Sequence, residues 1–370
     1  MYSTIAVTYP GLESECSEEI SPLINSPIKV ENSTLTFSVK KFSEIATLAY
    51  SLQSISYMGL LLLKCPLKKL ATQEISSDLK EFLADDISFS VRCKTNDKEL
   101  DKREIEQSAS LLLYNFFNQE KKKIKVDLQH PTLPFIIKII GTQAYLFLDF
   151  SGFPIDKRDY KVFSSRSDLK GPLAYLLLQF AGYDKNKKFV DPFCKSATIC
   201  IEAALSSSNM SPHLFRKDQF AFIKFPNFKN IENIFPNNKL SKHEDIFAID
   251  ALLKNINAAK KNAKIADINK ELNFARINLE DLDIKFEKEI DLICSFPPQF
   301  NKFNEKKILK VYNEFFHQSE LILKKEGKIA LLSLKPEILK NIAKNYSISL
   351  EKELNTMAGQ QPITFLLFKK

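Results

Sequence analysis

The second half of the chain alternates helical and strand-like segments, and this alternation limits the possible folds more than any other feature. From about residue 165 the order is a helical DLKGPLAYLLLQFAGY, a strand KFV, a helix ATICIEAALSSS and a strand IFAID. The alternation continues with ALLKNINAAKKNAKIA, LNFARIN and IDLICS, and it ends with KIALLSL and a final hairpin. Such alternation predicts an α/β fold with a doubly wound, largely parallel sheet. Sheets of this kind bind ligands at the carboxyl ends of their strands.

The first half has a different order of elements and predicts two smaller α+β units. A strand, a turn at Pro10-Gly11 and an amphipathic helix open the chain, which predicts a ferredoxin-like domain over residues 1–65. A strand, a helix, a strand and a hairpin turning near Gly141 predict a second domain over 66–150. Residues 151–170 are predicted as a linker and 171–370 as the doubly wound domain. The polar stretch 226–245 is predicted as a surface insertion.

Charge and cysteine content limit the class of protein. Lys and Arg total 53 against 45 Asp and Glu, a net charge of +8. This excess fits a polyanionic partner such as RNA, and a merely soluble basic protein remains an equal alternative. The six cysteines form no CxxC pair, and we expect buried, reduced thiols in a cytoplasmic protein. Neither a signal peptide nor an apolar run of membrane-spanning length is expected, and the four histidines show no metal-ligand spacing.

The segment FVDPFCKSATICIEAA places an acidic residue, Asp191, at the end of a strand and opens a helix after a short turn. The first loop of a Rossmann-type site has this form. The segment resembles the DPxCGSGTxxIEAA signature of the THUMP-domain class I RNA methyltransferases, with Lys195 and Ala197 at the two glycine positions. The chain contains only 8 glycines, and a β-carbon at these two positions adds bulk where the family's loop approaches its ligand.

The resemblance implies a Rossmann-like domain that binds S-adenosylmethionine. The residues that it assigns to the cofactor are Asp191, Pro192, Cys194, Lys195, Ser196, Ala197, Thr198, Asp250 and Asn278. Asp250 ends the strand IFAID, where the family's acidic residue accepts the ribose hydroxyls. Asn278 stands where the family has an Asp facing adenine, and Asp281 is a second candidate for that position.

The family's catalytic motif, (D/N)PP(Y/F), corresponds to FPPQ in this chain. The candidate catalytic residues are Ser295, Phe296, Pro297, Pro298 and Gln299. Phe296 replaces the residue that accepts hydrogen bonds from the target amine, and Phe offers no acceptor. Ser295 or Gln299 could substitute for it if the loop shifted by one residue, and Phe300 could stack on a base.

The N-terminal half resembles the RNA-binding part of the same family. YPGLESECSEEI is similar to its opening, SVRCKT and the following segments to a THUMP domain, and LDFSGFPIDKRDYKVFSS to its linker. The resemblance implies that this part binds structured RNA. The candidate RNA contacts are Arg92, Lys94, Lys138, Lys157 and Arg158, each of which could instead be an ordinary surface charge.

Three functions remain open from the sequence. The altered motifs favour an RNA-binding protein of the THUMP methyltransferase family, directed to tRNA, in which methyl transfer is weak or lost. The alternative is an active S-adenosylmethionine-dependent tRNA or rRNA guanine-N2 methyltransferase. A protein-interaction scaffold that has also lost RNA binding is the third. The oligomeric state is not predicted.

Overall fold

The computed structural model describes residues 1–164, 168–226, 228, 234–235, 245–300 and 303–370. Its contacts divide the chain into two compact units. The first contains residues 1–8, 16–155 and 215–237, and the second contains 9–15, 156–214 and 238–370. Most of the predicted insertion at 226–245 lies outside the described residues.

The first unit is built on one eight-stranded sheet. Its strands are β1 (Tyr2–Val7), β2 (Lys29–Glu31), β3 (Thr34–Val39), β4 (Tyr57–Pro66), β5 (Ile87–Lys94), β6 (Ile124–Val126), β7 (Leu133–Ile140) and β8 (Gln143–Asp149). The helices in this half of the chain are α1 (Glu13–Ile20), α2 (Phe42–Ser51) and α3 (Lys102–Gln119). The strand order is β2-β3-β1-β4-β8-β7-β5-β6.

Strands from both predicted N-terminal domains share this sheet. β4 pairs antiparallel with β1 on one side and with β8 on the other. The sheet therefore continues across the predicted boundary at 65/66, and the boundary itself stays a prediction. The predicted hairpin at Gly141 is confirmed, because β7 and β8 pair there and Gly141 takes a φ of +56°.

The second unit contains a seven-stranded sheet with helices between its strands. The strands are β9 (Phe189–Asp191), β10 (Ile246–Asp250), β11 (Asn273–Arg276), β12 (Ile290–Ser295), β13 (Leu323–Ser333), β14 (Ser349–Ala358) and β15 (Gln361–Lys369). The helices are α4 (Gly171–Phe180), α5 (Thr198–Ser207), α6 (Leu253–Ile265), α7 (Leu282–Lys285), α8 (Glu305–Ile322) and α9 (Pro336–Ala343). The strand order is β11-β10-β9-β12-β13-β15-β14.

This sheet confirms the predicted doubly wound architecture. Strands β11, β10, β9, β12 and β13 run parallel, and β15 and β14 add an antiparallel hairpin at one edge. From β9 the chain moves outward through β10 to β11, and then returns to place β12 on the other side of β9. The direction of strand order thus reverses between β9 and β12, which is where open α/β sheets place their ligands.

Within the described ranges, no helix combines the length and apolar character needed to cross a membrane. All six cysteines are buried free thiols, as predicted. Cys194, Cys200 and Cys294 lie in the second unit, where burial raises the pKa of each thiol well above its ordinary value.

Candidate functional site

The carboxyl ends of β9, β10 and β12 bring the predicted cofactor and catalytic segments to one edge of the second sheet. Asp191 ends β9, Asp250 ends β10 and Ser295 ends β12. The neighbouring strands place these ends side by side at the reversal of strand order. The structure therefore brings together segments that are distant in the chain: Asp191 and Ser295 are 104 residues apart.

The loop between β9 and α5 has the backbone shape that suits the two glycines of the family signature, although this chain has Lys195 and Ala197 there. Lys195 has a φ of +52° and Ala197 a φ of +63°, both in the left-handed region. Side chains with a β-carbon are disfavoured there by about 1–2 kcal/mol per residue. The loop is held by backbone bonds from Cys194 N–H to the Ile249 carbonyl at 2.9 Å and from Ala197 N–H to the Cys194 carbonyl at 2.6 Å. Of the other loop residues assigned to the cofactor, Pro192, Ser196 and Thr198 are also buried.

Asp191 is buried against the end of β12. Its Oδ1 accepts hydrogen bonds from the Ser295 hydroxyl at 2.5 Å and from the Phe193 backbone N–H at 3.1 Å. Burial raises the pKa of Asp191 to about 7, although the bond from Ser295 opposes this shift. The Ser295 hydroxyl proton is therefore used in the bond to Asp191.

Lys195 points into the site. Its Nζ lies 4.3 Å from the centroid of the Phe296 ring, within the range of a cation–π interaction. The side chain is half-buried, and burial lowers the pKa of its ammonium group. The cavity that remains beside Lys195 and Phe296 has a volume of about 10 Å³. This is room for about one water molecule.

The opposite end of the site, beyond β10 and β11, is open. Asp250 is buried, and its Oδ2 and Oδ1 accept bonds from the backbone N–H groups of Lys195 (3.1 Å) and Leu252 (2.9 Å). Asn278 is exposed and donates a bond of 3.2 Å from Nδ2 to Asp281 Oδ2. A surface depression of about 690 Å³ lies here, lined by Arg276, Ile277, Asn278, Asp281, Ile284 and Lys285.

Gln299 holds the loop after β12 in place. Its Nε2 donates to the Pro297 carbonyl at 2.7 Å, and its Oε1 accepts from the Leu334 N–H at 2.9 Å. The Tyr312 hydroxyl donates to the Pro298 carbonyl at 2.7 Å. Both Ser295 and Gln299 are thus held by bonds within the protein, and the hypothesis that one of them substitutes for the missing acceptor stays a prediction.

The predicted linker meets the helix of the loop motif in a buried ion pair. Arg158 Nε and Nη2 donate to the two carboxylate oxygens of Glu202 on α5, at 2.8 and 3.1 Å, and the Tyr160 hydroxyl donates to Glu202 Oε1 at 2.7 Å. The Arg158 and Glu202 side chains are 0% exposed. The prediction that Arg158 contacts RNA is therefore wrong, because its guanidinium is enclosed by the protein, whereas Lys157 is exposed.

Asn262 is a residue that the sequence analysis did not single out, although it lies in the quoted helix segment. The buried side chain donates from Nδ2 to the carbonyl oxygens of Phe163 (2.9 Å) and Ser196 (3.3 Å). Its Oδ1 accepts from the Phe163 N–H at 2.9 Å. Since Ser196 lies between Lys195 and Ala197, Asn262 connects the linker to the strained part of the loop. The helix contains three asparagines, Asn255, Asn257 and Asn262, so its composition did not distinguish Asn262.

Three candidate RNA contacts lie on one face of the first unit's sheet. Arg92 and Lys94 alternate along β5, and Lys94 stands directly opposite Lys138 of β7. Arg92 is exposed and Lys94 and Lys138 are half-buried. Burial, with a contribution from Lys94, lowers the pKa of Lys138. Lys94 and Lys138 thus occupy neighbouring positions on this face, and both side chains are partly buried.

Both parts of the chain match known protein families. Residues 158–362 match the RMKL-like methyltransferase domain family, and residues 69–149 match the THUMP domain. The tRNA (guanine(6)-N2)-methyltransferase of Methanocaldococcus jannaschii is 26% identical over 366 residues, covering 95% of each chain.

Solved structures share the fold over the whole chain. SMU.472, crystallised in complex with SAH, superposes with a TM-score of 0.80 at 18% identity, over 99% of this chain and 97% of that one. TrmN from Thermus thermophilus superposes with a TM-score of 0.71 at 20% identity over 100% of both chains. Since the methyltransferase match alone extends over more than half of the residues, the chain belongs to the RMKL-like methyltransferase family and carries a THUMP domain.

Proposed function

We propose that this protein is a tRNA-directed RNA-binding member of the family in which methyl transfer is weak or lost. S-adenosylmethionine is the methyl donor of the class, as predicted. The observation that carries the proposal is the Lys195 ammonium, which lies 4.3 Å from the Phe296 ring inside the site. The Lys195 side chain therefore occupies the space beside this ring, and a donor would have to displace it.

The residues of the site do not fit the methionine half of the donor. Lys195 and Ala197 carry β-carbons in a loop with left-handed backbone at both positions. The remaining cavity of about 10 Å³ is far smaller than an amino-acid tail. Phe296 also offers no oxygen to accept a hydrogen bond from a target amine. We therefore derive no catalytic step through the donor.

The RNA-binding part of the proposal is supported by the Lys94–Lys138 pair. Like charges directly opposite on adjacent strands destabilise a sheet. Burial is the main cause of the lowered pKa of Lys138, and the neighbouring Lys94 adds to it. A phosphate between the two ammonium groups would remove this repulsion, and the exposed Arg92 lies on the same face. The Methanocaldococcus jannaschii relative is a tRNA (guanine(6)-N2)-methyltransferase, which makes tRNA the RNA to test first.

Calorimetry with S-adenosylmethionine and with S-adenosylhomocysteine tests the proposal. We expect no binding to the wild-type protein and restored binding to a Lys195→Gly, Ala197→Gly double variant, because glycine removes the ammonium and relieves both left-handed positions. Binding of unmodified tRNA should persist in both proteins and weaken with salt. Micromolar donor affinity of the wild-type protein, together with methyl transfer to tRNA, would overturn the proposal.

The second candidate is an active guanine-N2 methyltransferase of tRNA. One observation favours it: the similarity to the Methanocaldococcus jannaschii enzyme extends over 95% of both chains, so no catalytic segment has been deleted. In that case Lys195 would have to leave the Phe296 ring when donor binds. The cytoplasmic location stays a prediction, supported by the six buried free thiols.

A further inference from the structure

Helix α6 has a row of lysines on its exposed side. Its 13 residues include no Asp or Glu. The exposed lysines of the helix, called here the lysine face of α6, are Lys254, Lys260, Lys261 and Lys264. The buried residues of the helix are Ile256, Ala259, Asn262 and Ala263. At 3.6 residues per turn the four lysines fall within about 120° of the helix circumference, on the side away from the buried residues.

The charges of the lysine face are not neutralised within the protein. Lys264 follows Lys260 by four residues and Lys261 by three, and side chains at these spacings are neighbours on a helix. Like charges at these spacings destabilise a helix. In the part of the chain that the structure describes, none of the four lysines forms an ion pair with a carboxylate. A polyanion would relieve this repulsion, and phosphates of a nucleic acid are the usual partners of such a surface.

An accessible aromatic ring lies beside the lysine face. Phe163, in the segment before α4, is 40% exposed, and the preceding Val162 is 63% exposed. The Lys261 Nζ lies 4.7 Å from the centroid of the Phe163 ring, so a cation is held next to the exposed aromatic surface. A nucleobase stacks on an aromatic ring of this kind, because every base has a π-face.

The backbone of Phe163 is fixed from its buried side. Asn262 Oδ1 accepts from the Phe163 N–H at 2.9 Å, and Asn262 Nδ2 donates to the Phe163 carbonyl at 2.9 Å. The same Nδ2 donates to the Ser196 carbonyl at 3.3 Å, in the loop between β9 and α5. A ring on a fixed backbone loses less conformational freedom on binding than a ring on a mobile segment. One buried side chain thus joins the exposed ring to the loop of the candidate site.

The combination of ring and cations favours RNA over an acidic protein segment. Surfaces that bind single-stranded nucleic acid place cations along the phosphates and aromatic side chains against the bases. Each nucleotide brings both a phosphate and a planar base, whereas an acidic side chain brings only a charge. Lys261 takes part in both features, because it lies on the lysine face and against the Phe163 ring.

We propose that Phe163 and the lysine face of α6 form a docking site for an unpaired nucleotide of RNA. The base stacks on Phe163, and the flanking phosphates lie on Lys260, Lys261 and Lys264. The nucleotide has to be unpaired, because neighbouring bases cover both faces of a base within a duplex. This inference rests on the proposed function, since it requires that the protein binds RNA, and it adds a contact surface in the second unit.

Tryptophan fluorescence tests the stacking directly. The chain contains no tryptophan, so Phe163→Trp introduces a single indole at the proposed site. We expect unmodified tRNA to quench the emission of this variant with the same midpoint as tRNA binding measured on filters, because a stacked base contacts the indole. The matched control is Phe215→Trp, at a phenylalanine of the first unit that is 62% exposed, and its emission should not change.

Affinity and its salt dependence separate the ring from the lysines. Phe163→Leu removes the ring but keeps an apolar side chain, and it should weaken tRNA binding by about tenfold, whereas Phe163→Tyr should bind like the wild type. Joint replacement of Lys260 and Lys264 by Gln should reduce the slope of log K against log [salt] by about two. Lys344→Gln, at an exposed lysine at the end of α9, should change neither quantity.

The outcomes distinguish this inference from the proposed function. Wild-type protein that does not bind tRNA would overturn both. Wild-type protein that binds tRNA, with the affinity unchanged in Phe163→Leu and the salt slope unchanged in the lysine double variant, would overturn only the docking site. Unquenched emission of Phe163→Trp at saturating tRNA would also overturn it. Polyglutamate that displaces tRNA from the wild type, with no effect of Phe163→Leu, would assign the lysine face to an acidic protein instead.

Discussion

Arg158 and Glu202 form a two-pronged ion pair in which both side chains are fully buried, with Nε and Nη2 at 2.8 and 3.1 Å from the two carboxylate oxygens. The pair joins the segment before α4 to the helix that follows the candidate binding loop. Gly171 makes room for it, since a β-carbon there would lie 2.4 Å from Arg158 Nε. The first residues of α4 are therefore constrained by the same pair.

Arg158→Ala should destabilise the protein by about 3–5 kcal/mol, because it leaves the Glu202 carboxylate buried without its cation. Urea unfolding measures this change. Lys157→Ala, at the exposed neighbouring position, should change the free energy of unfolding by no more than about 0.5 kcal/mol. Equal effects of the two substitutions would show that the ion pair does not stabilise the fold.

Asp191 should make stability fall as the pH rises. Its pKa is raised from 3.8 to about 7 in the folded protein, so the folded state holds the proton more tightly than the unfolded state does. This contribution is fully present below pH 4 and is lost as the pH rises through 7. Asp191→Asn keeps an oxygen for Ser295 and Phe193 and should remove this contribution.

Thermal unfolding of the wild-type and Asp191→Asn proteins between pH 4 and pH 8 measures the difference. Melting temperatures of the two proteins should diverge toward the higher pH, with the wild type lower. Parallel curves would mean that Asp191 is charged throughout this range in the folded protein.

Ala197→Gly should leave the protein as stable as the wild type or about 1 kcal/mol more stable. Ala197 has a φ of +63°, where glycine avoids the steric penalty of the β-carbon. The matched control is Ala203→Gly, a buried alanine inside α5, which should lose about 1 kcal/mol or more. Chemical denaturation compares the two, and an equal loss in both would contradict the strain at residue 197.

Arg92→Ala and Lys94→Ala should each weaken binding of unmodified tRNA and reduce the salt dependence of log K by about one phosphate contact. Filter binding across a range of salt concentrations measures both quantities. Lys344→Ala, at an exposed lysine at the end of α9, should change neither. An unchanged salt slope in the two β5 variants would place the RNA on another surface.

The sequence carries enough information for the order of elements and for the position of the candidate loop. Period-2 and helical patterns identify the strands that end at Asp191 and Asp250, because these segments are short, apolar and bounded by turn residues. The loop motif adjoins them. The direction of the Lys195 side chain was not predictable, since it depends on Phe296, which only the folding of the sheet brings near.

The Arg158–Glu202 pair shows a second limit of sequence reasoning. An arginine next to a lysine in a polar linker is usually a surface residue. Its burial depends on Glu202, a partner 44 residues away on a helix whose other buried residues are mostly apolar. No local pattern distinguishes this arginine from Lys157, yet one is enclosed and the other is exposed.

The shared sheet of the first unit determines how the N-terminal half can be cut. A fragment ending at residue 65 would keep β4 but lose β8, its partner along most of one edge. The exposed edge would carry Leu60, Leu61 and Leu63, a run that invites strand-to-strand aggregation. A THUMP fragment starting at residue 66 would leave β8 open in the same way. The predicted domains 1–65 and 66–150 are therefore expected to fold, and to be expressed in stable form, only as one piece.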